Sequence, residues 1–171
     1  MVRFCVRVFI SPLVLAAINL LLLIPLVLAI VDVSINLGHG QAADQALIDV
    51  VEGMGVLLIG WGVAIEERSS LREIFGLTGA SDEARQGRLD KICHAAGVGL
   101  LIFGLFAEMC IEGIRIPNHI LNTEGINEVI LGISLLFMAI CAWILGRNAV
   151  GIVAAGFFAS EPVAAKPSKP H

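Results

Sequence analysis

Four long apolar stretches alternate with polar connections along the chain, at approximately residues 8–31, 46–65, 92–111 and 128–145. A helix needs about 20 mostly apolar residues to cross ~30 Å of hydrocarbon, and it satisfies its own backbone amides within the segment. The stretches lack the alternation of apolar and polar residues that strands of a membrane barrel require. The pattern therefore predicts an all-α integral membrane bundle of four transmembrane helices.

The first stretch follows two basic residues, Arg3 and Arg7, and could be read as a secretory signal peptide. Its apolar run is too long for that, and no small-residue cleavage site follows closely, so we predict a retained helix. Pro25 removes one backbone donor and is expected to bend this helix. Asn19 lies near the middle of the membrane, where a polar side chain is expected to bond to a neighbouring helix.

The connection 66–91 is predicted to form a cytoplasmic helical hairpin. Residues 66–75 continue the second helix, Gly76 and Gly79 break it, and Ser81 suits the N-cap of a second helix. The hairpin can be a solvated connection or a docking surface for a soluble partner.

The transmembrane domain is predicted to span residues 1–148, and residues 149–171 follow it. The apolar piece 149–158 either lies on the membrane surface or extends the last helix. The remaining tail is rich in Pro, Ala and Lys, and this composition predicts disorder.

The distribution of Lys and Arg predicts the orientation, because basic residues concentrate on the cytoplasmic side of membrane proteins. With both termini and the 66–91 hairpin in the cytoplasm, Arg115 is the only basic residue outside. The cytoplasmic basic residues are then Arg3, Arg7, Arg68, Arg72, Arg85, Arg88, Lys91, Arg147, Lys166 and Lys169. Trp61 and Trp143 fall towards the cytoplasmic ends of their stretches, as interfacial aromatic residues do.

Composition supports the membrane assignment and argues against several classes of function. The chain is 57% hydrophobic, its net charge is −4, and its basic residues form no dense tract, which disfavours nucleic-acid binding. Its four cysteines stand singly, and it has no Glu-x-x-His repeat, His-Glu-x-x-His motif or phosphate-binding Gly-rich loop. His94 is the one histidine within a stretch, so paired haem ligands are missing. We therefore expect no enzyme and no cofactor.

Small residues recur at helical spacing in three of the stretches, and they predict faces where helix backbones approach closely. The second stretch carries two such faces, one with Gly53 and Gly60 and the other with Gly55, Gly62 and Glu66, so it should contact two neighbours. The glycines expected to pack helices together are Gly53, Gly60, Gly97, Gly104 and Gly132.

Acidic residues fall on the same faces near the outer side of the membrane. Asp49, Glu108 and Glu128 should point inward, with Glu52 and Glu112 close by in height. At about 1.5 Å per residue, Glu108 lies ~6 Å below the outer edge. These five carboxylates either cap helices and bond neighbouring helices, or form a site for a cation or a proton. Glu108 is the strongest candidate, because a negative charge near a helix C-terminus is disfavoured without a partner.

The sequence thus predicts a non-enzymatic, multi-pass protein of the cell (inner) membrane, acting as an accessory, scaffolding or sensory subunit. Its partners would be the lipid bilayer and either another membrane or cytoplasmic protein or further copies of itself. The alternative is a small homo-oligomeric channel or transporter that uses the outer carboxylates for a cation or proton. A membrane enzyme with an unrecognised site is a third, weaker reading.

Overall fold

The computed structural model describes residues 8, 11–38, 45–76, 83–115 and 126–157. Within these residues the chain forms five helices: α1 (Pro12–Gly38), α2 (Gln45–Glu66), α3 (Arg68–Ile74), α4 (Glu83–Arg115) and α5 (Asn127–Phe157). All but the short α3 are long and apolar enough to cross a membrane. The prediction of an all-helical fold with four long apolar helices is therefore confirmed.

The helices are longer than the apolar stretches that predict them. Helix α4 begins at Glu83, so the second half of the expected hairpin belongs to the same helix as the third stretch. Helix α5 continues to Phe157, so residues 149–157 extend the last helix. The expected continuation of α2 is interrupted by a turn at Glu67, after which α3 begins. Gly79, Ser81 and the tail 158–171 lie outside the described residues.

The four long helices pack in the order α2–α4–α5–α1, and each is antiparallel to its neighbour. Helix α4 lies between α2 and α5, while α1 packs mainly against α5 and touches α2 much less. One end of the assembly holds the last residues of α1 and α4 and the first of α2 and α5, and we call it the Arg115 end. The opposite end, where α2 meets α3, we call the Arg68 end.

Glycines bring α2 and α4 into backbone contact. A Cβ on Gly62 would lie 2.8 Å from the carbonyl oxygen of Gly97, and a Cβ on Gly97 would lie 2.6 Å from that of Gly62. Gly104 also faces α2, where a Cβ would lie 3.1 Å from a side-chain carbon of Ile59. Gly97 and Gly104 thus stand at a helix–helix contact, as expected from their spacing.

The other three glycines expected to pack helices do not do so within the described chain. A Cβ added at Gly53, Gly60 or Gly132 would meet no atom within 4 Å. In α2 the packed face is the alternative one, with Gly55 and Gly62, because that side meets α4. Gly53 and Gly60 form an exposed face of α2.

Helix α5 buries a different face from the one that its small residues indicate. Its buried side chains include Leu131, Met138, Cys141 and Leu145, whereas Glu128 and Ala139 are exposed. The helix is apolar on all sides, so small residues do not mark its inner face. Larger aliphatic side chains fill the space between α5 and its neighbours, and Phe137 stacks on Phe106 of α4 with ring centroids 5.5 Å apart.

A buried hydrogen bond links α1 to α2. The indole N–H of Trp61 donates to Oδ1 of Asn19 at 2.6 Å, and Asn19 is completely buried. Asn19 therefore contacts a neighbouring helix, as expected. Trp61 is 8% exposed and faces the interior of the helix assembly, while Trp143 is 71% exposed.

Candidate functional site

The acidic side chains of α2 and α4 meet at the Arg115 end of the assembly. Helix α2 contributes Asp49 and Glu52, three residues apart, and antiparallel α4 contributes Glu108 and Glu112, four residues apart. Both spacings place the two side chains of each helix on one face. The close packing of α2 on α4 then brings the two acidic faces together.

Arg115, in the last turn of α4, pairs with acidic residues of α2 and also lies near one acidic residue of its own helix. Its Nη2 lies 2.9 Å from Oδ1 of Asp49 and forms a shorter ion pair with Oε2 of Glu52. Its Nη1 is 3.9 Å from Oε1 of Glu112 on its own helix. Asp49 also accepts a hydrogen bond of 2.8 Å from the side-chain amide of Gln45. The guanidinium thus ties the start of α2 to the end of α4.

Three of the carboxylates lie close enough together to share one ion. Glu52, Glu108 and Glu112 each offer an oxygen atom, and these atoms lie within 4.8 Å of one another. The Oε2 atom of Glu108 is buried and has no hydrogen-bond partner in the described structure. It rests against the backbone of α2, because a Cβ on Gly55 would lie 2.7 Å from it. We call Glu52, Glu108 and Glu112 the carboxylate cluster.

Charge is unbalanced at this end of the molecule. Asp49, Glu52, Glu108 and Glu112 carry four negative charges when ionised against the single positive charge of Arg115, which leaves −3. Crowded carboxylates repel each other, and a proton or a hard cation relieves that repulsion. Oxygen ligands of this type suit Ca²⁺ or Mg²⁺. The arrangement can therefore bind a cation or hold a proton between helices.

Four of the five acidic residues predicted for a cation or proton site are brought together, and one is not. Asp49, Glu52, Glu108 and Glu112 surround the two-helix contact at the Arg115 end. Glu128 is exposed in the first turn of α5 and does not belong to the carboxylate cluster. Its position at a helix N-terminus is one where an acid is favoured by the backbone alone.

A second polar group, at the Arg68 end, is missed by the sequence analysis. Arg68 is only 2% exposed, and its guanidinium forms a close ion pair with Asp90 of α4. Nη1 of Arg72 lies 3.1 Å from the other oxygen of Asp90, and Nη2 of Arg68 donates to Gln86 at 3.2 Å. We call Arg68, Arg72, Gln86 and Asp90 the arginine clamp. It fixes α3 against the beginning of α4.

Burial lowers the pKa of Arg68, and the neighbouring Cys93 and Asp90 oppose this effect. A guanidinium remains charged in proteins, so a buried arginine needs a partner with negative charge. The signal in the sequence is the spacing: Arg68 and Arg72 are four residues apart on one helix, and Gln86 and Asp90 are four apart on the next. Basic residues in a connection are ordinarily assigned to solvent, and this hid the clamp.

One further polar contact lies near the clamp. Nδ1 of His94 is 3.3 Å from Oε1 of Glu66, the last residue of α2. The backbone and Cβ of Glu66 lie against Gly97, so this contact stands at the same glycine-mediated junction of α2 and α4.

Comparisons with protein-family models, curated proteins and solved structures find no match to this chain.

Proposed function

We propose that this chain is a non-enzymatic, multi-pass protein of the cell (inner) membrane, with both termini in the cytoplasm. Large apolar side chains on all four long helices face outward, as a bilayer would require; examples are Leu21, Val56, Leu105 and Leu136. In water, exposed apolar area of this extent is unfavourable, whereas lipid covers it. In this orientation the arginine clamp lies on the cytoplasmic side and the carboxylate cluster on the outer side.

The proposed role is that of an accessory, scaffolding or sensory subunit, and the observation that carries it is the arginine clamp. A solvated connection between two membrane helices does not need a buried arginine. Here Arg68 and Arg72 converge on Asp90 and hold α3 in a fixed position, where Ile74 remains 74% exposed. A rigid cytoplasmic segment with an exposed aliphatic side chain suits a protein partner.

Native mass spectrometry of the protein, extracted gently from its own membrane, tests this role. We expect a different polypeptide bound in fixed ratio. Asp90→Asn should release that polypeptide, because it removes the charge that holds both arginines. Glu73→Gln is the control that also removes one negative charge, since Glu73 lies on α3 beside the two arginines, is exposed and does not belong to the clamp. A protein that is extracted with no other polypeptide contradicts the proposal.

Membrane orientation is tested separately by labelling single cysteines in a chain whose native cysteines are replaced. A thiol reagent that does not cross the membrane should react from outside with a cysteine at position 41 and should not react with one at Gly87. Gly87 is exposed on α4, and a Cβ there meets no atom of the described residues within 4 Å, so the substitution leaves the clamp in place. The opposite labelling pattern reverses the orientation.

The second candidate function is a cation or proton site, and the carboxylate cluster favours it. One oxygen from each of three carboxylates on two helices lies within 4.8 Å of the others, and one oxygen of Glu108 is buried with no hydrogen bond from any residue that the structure describes. Ionisable groups placed inside a helical bundle are candidates for ion pathways. Four helices of this length leave little room for a solute, so transport would require several copies. The exposed glycines Gly53 and Gly60 could supply the contact between copies.

Flux measurements in reconstituted vesicles test this second candidate. Glu108→Gln keeps the shape of the side chain and removes its charge, and we expect it to abolish cation or proton flux. Glu128→Gln is the control, because Glu128 is exposed at the same end of the molecule and outside the cluster. Equal flux in wild type and Glu108→Gln excludes a transport role for this carboxylate.

A further inference from the structure

The lysines and arginines whose side chains the structure describes divide into a paired group and an unpaired group. Arg68 and Arg72 pair with Asp90, and Arg115 pairs with acids of α2. The unpaired group is exposed and forms no ion pair or hydrogen bond with any residue that the structure describes; it consists of Arg88, Lys91 and Arg147. All three lie in the half of the assembly nearer the Arg68 end, so unpaired positive charge is concentrated there.

Two glycine contacts fix how α4 and α5 lie against each other. A Cβ on Gly99 would lie 2.9 Å from Cδ1 of Ile144, and a Cβ on Gly151 would lie 3.4 Å from Cγ2 of Ile92. Arg147 lies between Ile144 and Gly151 in the sequence. It is therefore level with the part of α4 that lies between Ile92 and Gly99.

The three unpaired residues lie on one side of this α4–α5 contact. On each helix the residues of the contact separate a buried side from an exposed side, because successive residues turn by about 100°. The buried sides carry Leu145, Asn148 and Ile152 on α5 and Leu89, Cys93 and Ala96 on α4. The exposed sides carry Trp143, Arg147 and Val150 on α5 and Arg88, Lys91 and Ala95 on α4. Since both buried sides face the same interior, the exposed sides form one outer surface.

On this outer surface the basic groups lie within reach of one another. With a rise of about 1.5 Å per residue, Lys91 is about 7 Å and Arg88 about 11 Å nearer the Arg68 end than Arg147. Lysine and arginine side chains are long, and in a bilayer they extend towards its polar surface. The charge of Arg147 therefore approaches the level of the other two.

No acid balances this charge within the part of the outer surface that the structure describes. Asp90 is the only acidic residue between positions 86 and 107 of α4, and the arginine clamp holds it against α3. Helix α5 has no acidic residue after Glu128, which lies at its opposite end. The outer surface with the three unpaired residues therefore carries three positive charges.

An aromatic side chain lies next to these basic groups, on the side towards the middle of the assembly. Trp143 is 71% exposed and precedes Arg147 by four residues, so it lies about 6 Å further from the Arg68 end. Tryptophan next to a basic residue is typical of the boundary between acyl chains and headgroups. We call Arg88, Lys91, Trp143 and Arg147 the basic surface.

We propose that the basic surface binds the headgroup of an anionic phospholipid, with the phosphate at its three basic residues and the start of an acyl chain against Trp143. Charge complementarity supports this occupant, since a phosphate is the anionic group that a bilayer presents at this depth. An acidic protein segment suits the surface less well, because Trp143 and Val150, at 71% and 70% exposure, border it with apolar surface. The inference goes beyond the proposed functions and rests on the membrane location proposed above.

Quenching of tryptophan fluorescence by brominated phospholipids tests this site. The whole chain is reconstituted in phosphatidylcholine vesicles that contain phosphatidylglycerol, with bromine on the acyl chains of one lipid or of the other. The signal of Trp143 is obtained by comparison with Trp143→Phe, because Trp61 is only 8% exposed. We expect brominated phosphatidylglycerol to quench Trp143 more strongly than its share of the lipid predicts, with a relative affinity about tenfold or more above that of phosphatidylcholine.

Two variants and one matched control locate this preference for the anionic lipid. Each basic residue near an anionic membrane contributes a factor of about five in affinity. Arg147→Gln should therefore lower the preference about fivefold, and the triple variant that adds Arg88→Gln and Lys91→Gln should abolish it. Arg115→Gln removes the same charge at the opposite end of the assembly and should leave the preference unchanged. The three substituted side chains of the basic surface are exposed, so the melting temperature of these variants should equal that of wild type.

The proposal is overturned if both brominated lipids quench wild-type Trp143 in proportion to their share, or if the triple variant retains the wild-type preference. Excess inorganic phosphate at constant ionic strength should not displace the lipid; if it abolishes the preference, the surface recognises free phosphate and the lipid site is wrong. A chain that no brominated lipid quenches does not reside in the bilayer. That result contradicts the membrane location itself, and with it this site, and it is distinguishable from a loss of lipid preference.

Discussion

The carboxylate of Glu108 lies directly against the backbone of α2 at Gly55. A Cβ at position 55 would stand 2.7 Å from Oε2 of Glu108 and 3.6 Å from the carbonyl oxygen of Gly104. The missing side chain of Gly55 therefore makes room for the acid between the two helices. This position in turn brings Glu108 into the carboxylate cluster with Glu52 and Glu112.

Gly55→Ala should displace the carboxylate of Glu108 and leave the helix contact largely intact, because the atom that must move belongs to the end of a flexible side chain. We expect a cost in stability of about 1 kcal/mol or less, offset partly by the higher helix propensity of alanine. If the cluster binds a cation, affinity should fall at least tenfold. Calorimetric titration with Ca²⁺ or Mg²⁺ and thermal unfolding measure the two effects.

Gly62→Ala is the comparison for Gly55→Ala. A Cβ there would lie 2.8 Å from the carbonyl oxygen of Gly97 and 2.9 Å from the amide nitrogen of Leu101, and both are backbone atoms. The helices must then separate, which typically costs about 1–3 kcal/mol. Gly53→Ala, where a Cβ would meet no atom of the described chain within 4 Å, should be neutral or slightly stabilising. Equal effects at positions 53 and 62 would contradict the close contact of α2 with α4 at Gly62.

Trp61→Phe tests the buried hydrogen bond between α1 and α2. Phenylalanine keeps most of the apolar contact but removes the indole N–H, and the oxygen of Asn19 then loses its donor. Buried polar pairs in membrane proteins contribute about 0.6 kcal/mol on average and up to ~1.7 kcal/mol. We expect a loss of roughly 1 kcal/mol, measured by reversible unfolding in mixed micelles. Trp143→Phe should have little effect because Trp143 is exposed; similar losses in both variants would mean that the hydrogen bond contributes nothing.

Asp90→Asn should lower the stability of the protein more than a single substitution of Arg68 or of Arg72. It leaves the buried charge of Arg68 without its ion pair, and removing one partner of a buried pair typically costs about 3–5 kcal/mol. Because Asp90 is partly exposed, we expect the lower end of that range. Adding Arg68→Met to Asp90→Asn should recover part of the loss, since no buried charge remains.

Thermal unfolding and limited proteolysis of residues 66–91 measure the effect of these clamp variants. Cleavage of this segment should increase in Asp90→Asn and return towards wild type in the double variant. If the double variant loses as much as the sum of the two single variants, Arg68 and Asp90 do not act as a pair.

The sequence predicts the elements of the fold better than their contacts. Long apolar stretches are sufficient to predict four helices. The spacing of small residues indicates two faces of α2, and only the structure shows that the face with Gly55 and Gly62 meets α4, while Gly53 and Gly60 of the other face, which are predicted to pack, lie exposed. The buried face of α5 cannot be predicted in this way, because every side of that helix is apolar and a small residue such as Gly132 does not mark the side that packs against other helices. The buried face depends on which helices α5 packs against, and this pairing is set by the whole assembly.

The candidate site is predicted in part for the same reason. Acids on small-residue faces predict Asp49, Glu108 and Glu128, and acids of similar height add Glu52 and Glu112, since helical periodicity is a local property. The structure brings all of these together except Glu128. The partner of Asp49 is Arg115, 66 residues away, and that contact depends on how the helices pack. Likewise, Asn19 is expected to seek a partner, but Trp61 is identified as that partner only by the structure.

Arg115→Gln distinguishes a cation site from a structural salt-bridge network at the Arg115 end. Arg115 pairs with Asp49 and Glu52 and lies near Glu112, so its guanidinium competes with any cation for these acids. Removing it raises the local negative charge from −3 to −4. Since accumulated negative charges favour a bound cation more strongly, the affinity for Ca²⁺ or Mg²⁺ should rise about tenfold at low ionic strength.

Glu108→Gln should have the opposite effect and lower the affinity for the cation. The double variant should bind the cation more tightly than Glu108→Gln by no more than the gain that Arg115→Gln alone produces. A structural network predicts a different pattern. There, Arg115→Gln lowers the melting temperature, because the start of α2 and the end of α4 lose their link, and no variant acquires measurable cation binding. Titration and unfolding of the same preparations separate the two cases, since the first raises affinity while the second only reduces stability.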